Sequence, residues 1–64
     1  MNRLQAGIIA SHVCTVQNAE SQEQAHRIAA ALWPTVALAY PADARVARDV
    51  LTQAAEEWSK AVAS

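Results

Sequence analysis

A single cysteine, Cys14, and a single glycine, Gly7, stand in this chain of 64 residues. One cysteine forms no disulfide within the chain, so the commonest staple of a small domain is missing, and a reducing, cytoplasmic compartment is the expected setting. One glycine excludes the phosphate-cradling loops, which need several. Charge of one sign is lacking too: five basic and six acidic side chains leave a net charge of −1. A nucleic-acid binder that works by neutralising phosphates has no basic stripe to use, and the balance is not that of an acidic DNA mimic either. No apolar run approaches the ~18 residues of a membrane span. The stretch Leu4 to Val16 follows Arg3 as a secretory signal would, but His12 interrupts it and Gln17 spoils the small-residue pattern before Ala19.

What is present is alanine, a few β-branched residues and two prolines, enough for one small domain over residues 1–64. A domain of this size buries only about 60% of the surface its unfolded chain exposes, so its core is thin. Between Ala6 and Val16 the residues Ile8, Ile9, Val13, Thr15 and Val16 are β-branched and Gly7 is a poor helix former, which predicts a strand. The alternative is a helix, because Leu4, Ile8, Ile9, His12, Val13 and Val16 fall within half a helical wheel. Asn18 or Ser21 can cap the next element, Ser21 with Gln24 fits a capping box, and Glu20 and Glu23 suit the positive end of a helix dipole, so a helix is expected from there to Trp33. Its buried stripe is Ala25, Ile28, Ala29 and Leu32. Pro34 disfavours helical geometry at Trp33, and alternation in Thr35–Tyr40 predicts a short second strand. From Pro41 to Val62 an amphipathic helix places Val46, Ala47, Val50, Leu51, Ala54, Trp58, Ala61 and Val62 within an arc of about 160°. Arg45, Arg48, Asp49, Thr52, Glu56, Ser59 and Lys60 take the other side.

The expected fold is therefore α+β, read as β-α-β-α with a long C-terminal helix; an all-α three-helix bundle is the alternative. The strand-helix-strand part resembles one half of a ferredoxin-like sheet, a likeness of topology that implies no activity.

Residues able to do chemistry are few and scattered. His12 and Cys14 share a strand face, but two ligands do not make a metal site, and Cys14 reads as a small core residue. Glu23 and His26 form one Glu-x-x-His motif where a di-iron bundle uses two. Glu56 and Glu57 are adjacent, so on a helix they diverge and cannot act as a carboxylate pair. No catalytic residue, metal or cofactor is assigned. Arg45 and Arg48 could touch phosphate, but a helix-turn-helix joins its helices through about three or four residues, fewer than Pro34–Tyr40 supplies. Trp33, Tyr40 and Trp58 sit at element ends; Trp58 is expected in the core.

By exclusion, the expected function is that of a small non-enzymatic regulator or inhibitor that occupies a surface of a larger protein complex. The alanine-rich composition suggests a phage-encoded antagonist of a host system such as a CRISPR effector. The expected contacts are Glu20 and Glu23 on the first helix with Asp49, Glu56 and Lys60 on the last. A self-associating structural module, completed as a homodimer, and a small DNA-binding regulator are the alternatives; nucleic acid and membrane are not the expected partners.

Overall fold

Helix α1 spans Arg3–Gln17, α2 spans Gln22–Ala39, and α3 spans Ala44–Glu56 after a single 3-10 turn over Pro41–Asp43. The structure, a computed structural model, describes residues 3–58, and among these there is no strand. The fold is the all-helical alternative and not α+β, and the ferredoxin-like pattern does not form.

The first correction falls on Ala6–Val16, which is helix and not strand. β-Branched residues disfavour a helix by only a few tenths of a kcal/mol each, which tertiary burial overrides. Ile9 and Val16 turn inward, and Val13 is half-buried, at spacings of four and three residues that only a helix brings to one side. Thr15 settles its hydroxyl by donating to the Ser11 carbonyl one turn back, 3.2 Å away. Gly7 sits on the exposed side, where a Cβ would meet nothing within 4 Å.

The second correction concerns Thr35–Tyr40, which continues α2 to Ala39 instead of forming a strand. Pro34 lies inside the helix and cannot donate to the Ala30 carbonyl, a defect worth about 3 kcal/mol in a helix interior. Ala30 is exposed, so water can serve its carbonyl. The turns beyond are held from outside: Val36, 2% exposed, packs with Ile9 and Ala47, and the Tyr40 amide donates to the Val36 carbonyl at 2.7 Å. The start of α2 follows the capping chemistry. The Gln24 amide donates to Ser21 Oγ at 3.1 Å, and the Gln24 side chain accepts from the Glu20 amide at 2.6 Å.

The last helix differs from expectation in its edges. Pro41–Asp43 form a 3-10 turn that leads into α3, and Ala61 and Val62 lie outside the described residues. Ala47, Leu51, Ala54 and Ala55 are buried, whereas Val46 and Val50, expected on the buried arc, are 42% and 37% exposed.

The core is two patches. At one end Val16, Ala25, Ala29, Leu51, Ala54 and Ala55 meet, edged by Trp33 and Trp58; at the other Ile9, Val36 and Ala47 meet. Both patches draw on all three helices. The partners run in opposite order along α2 and α3, so these two helices form an antiparallel hairpin. They run in the same order along α1 and α3, which are therefore parallel. Among the described residues five of the nine buried apolar side chains are alanines, so α2 and α3 approach closely but bury little volume.

Candidate functional site

Two stretches of surface are candidates for recognition, one polar and one apolar. The polar one begins on the outer side of α3, where Arg48, Asp49, Thr52, Gln53, Glu56 and Glu57 line a shallow open recess of about 620 Å³. Two of the expected contacts, Asp49 and Glu56, lie in it. Glu20 and Glu23 are brought alongside by the hairpin: the Gln22 side chain donates to the Glu56 carbonyl at 3.1 Å, joining the start of α2 to the end of α3. The Trp58 indole N–H donates to the Ala19 carbonyl at 3.0 Å and closes the same end. Glu20, Glu23 and Glu56 are thus gathered at one end of the molecule, all exposed, with Asp49 two turns away along α3. Glu23 is held by Arg27, at 2.7 Å and three-quarters exposed, a contact of little energetic weight. Lys60 lies outside the described residues.

The apolar candidate is a groove between α1 and α3. Ala6, Ile9, Ala10, Val13 and Cys14 form one wall and Val46 and Val50 the other, around an open volume of about 520 Å³. The groove continues past Val13 and Val50 into a polar end lined by Gln17, Gln53 and Glu57. Reading α1 as a strand hid this feature. On a helix Ala6, Ala10 and Cys14 fall on one stripe at four-residue spacing. Val46 and Val50 at the edge of the α3 arc were the visible half of the signal.

The residues weighed for chemistry are not brought together. His12 and Cys14 are about 200° apart on α1 instead of sharing a strand face, and Cys14 is exposed in the groove instead of packed in the core. His26 is exposed on α2. Among the described residues no three of His, Cys, Asp and Glu are grouped as a metal would need. Asp43, in the 3-10 turn before α3, is 9% exposed, and its Oδ2 is buried without a hydrogen-bond partner. Trp58 is half-buried at the hairpin end, not enclosed.

The spacing objection to a helix-turn-helix does not hold, because the helices are joined by Tyr40–Asp43 alone. The geometry differs on other grounds: contacts from Gln22–Glu56 at one end to Val36–Ala47 at the other make a long antiparallel hairpin, whereas a helix-turn-helix crosses at about 90–120°. No described helix is long and apolar enough to cross a membrane. Comparison of the chain with protein-family models, with curated proteins and with solved structures gives no match.

Proposed function

We propose that the protein is a non-enzymatic regulator or inhibitor that binds a larger protein through its acidic end. The carrying observation is that Gln22 ties the α2 start to the α3 end, so that Glu20, Glu23 and Glu56, distant in sequence, are exposed at the same end of the molecule, where Glu56 also lines the polar recess. The partner this suits presents a basic surface, because opposite potentials speed encounter and orient the complex. The exposed thiol of Cys14 goes with a reducing, cytoplasmic setting. The finer form of this reading is a phage-encoded antagonist of a host complex such as a CRISPR effector, and it rests on a short chain without assignable chemistry and on an alanine-rich composition of the kind found in GC-rich bacteria and their phages.

A pull-down from the native host with the tagged chain, read by mass spectrometry, identifies the partner. The triple variant Glu20→Lys, Glu23→Lys, Glu56→Lys is expected to weaken that complex roughly tenfold or more while its helical circular dichroism is retained. Unchanged affinity in the folded variant overturns this assignment of the surface.

A further inference from the structure

We propose that the α1/α3 groove is filled by a second copy of this chain, related by a twofold axis across the helices, so that α1 of one copy runs antiparallel to α1 of its partner. The interface is distinct from the acidic end and rests on separate observations.

The first is the character of the groove. Its walls are apolar, with Val46 and Val50 open to solvent, whereas among the described residues only Leu51 and Val16 are fully buried side chains larger than alanine. Covering this face adds burial where the monomer has least to spare. The small side chains of Ala6, Ala10 and Cys14, with Gly7 and Ser11 beside them, let a second helix come close.

The second observation selects the occupant. Charge is placed toward the two ends of this face. By helical spacing Arg3 lies two turns before Ala10 on the same stripe of α1, at its edge beside the recess of Leu4, Gly7, Ile8 and His12, and Glu57 lies two turns after Val50 on the groove side of α3. Because α1 and α3 are parallel, these charges sit at opposite ends, about 20 Å apart. The dipoles of α1 and α3, the two helices that wall the groove, add to the gradient, positive at the Arg3 end and negative at the Gln17 and Glu57 end, while antiparallel α2 opposes them from behind. A face that is positive at one end, negative at the other and apolar between is complementary to itself when turned end for end. Arg3 of each copy then meets the Glu57 end of the other, whereas a parallel arrangement sets like charges together. Asp49, near mid-length, lies on the flank of α3 with Arg48 3.8 Å away to offset it.

Sedimentation equilibrium of the full chain at about 1–100 µM reads the association directly. A dimer is expected in this range, and a monomer throughout overturns the proposal. Arg3→Glu and Glu57→Arg each replace two attractive contacts by two repulsive ones and are expected to weaken the dimer roughly tenfold. Mixed together, the two variants form a heterodimer in which both contacts are attractive again. A dimer indifferent to either substitution, or variants that fail to recover on mixing, overturns the antiparallel arrangement. Val50→Lys, at an exposed position of the monomer, is expected to abolish association while leaving helical content unchanged.

Discussion

Helices α1 and α3 flank the same groove, yet they are held in opposite ways. α3 places four residues in the core and packs along the length of α2, with a side chain–backbone hydrogen bond closing the hairpin. α1 buries only Ile9 and Val16, carries no acidic residue, and leaves Leu4, Ala6, Ala10 and Cys14 exposed. The hairpin is the scaffold, and α1 is laid against it through Ile9 and Val16, with Ile8 and Val13 half-buried beside them. Apolar surface not needed for folding accumulates on the loosely held helix, which is where an interface can form without disturbing the core.

The comparison is broken most directly at Leu51, which is fully enclosed between the helices. Leu51→Ala is expected to cost about 3 kcal/mol, from lost burial and the cavity left behind, and to leave the chain largely unfolded; urea titration followed by circular dichroism measures it. Pro34→Ala tests how far α2 is held by packing in spite of its sequence. Restoring the amide that reaches Ala30 is expected to stabilise by about 2 kcal/mol, after allowing for the greater freedom of the unfolded chain. If α2 ended at Trp33, the same substitution would have no such effect. Trp58→Phe keeps the ring but loses the hydrogen bond to Ala19, and is expected to cost about 1 kcal/mol. On α1, Gly7→Ala adds a methyl in open space in the single chain and, measured at a concentration below association, is expected to stabilise by slightly less than 1 kcal/mol. Smallest of all is Leu38→Ser. Leu38 is 86% exposed, so stability should change by less than about 0.5 kcal/mol. All five need one fixed protein concentration, because association would shift apparent stability by mass action.

Parts of this were legible from residues alone. Ser21 and Gln24 announced the start of α2 because capping is a local contest decided within a turn. The strict amphipathic pattern announced α3. Val13, Thr15 and Val16 misdirected the reading of α1, since β-branching is a weak preference that the burial of Ile9 and Val16 outweighs. Pro34 misdirected the end of α2 for a related reason: its local cost is real, but Val36 is anchored from two other helices. Of the candidate surfaces, the individual carboxylates were visible in sequence. Their gathering at one end was not, because Gln22 and Glu56 are 34 residues apart.

What the sequence determined by itself is therefore local: the helix start at Ser21, the amphipathic face of α3, the near balance of charge, and the scarcity of reactive groups. These follow from interactions within a turn or from simple composition. Only the tertiary structure decided that residues 6–16 and 35–39 are helical, that Val46 and Val50 face outward, and that Cys14 lines a groove. Each of those outcomes depends on which neighbour a side chain meets across the bundle, and with a core built largely of alanine the local preferences are too evenly matched to reveal it.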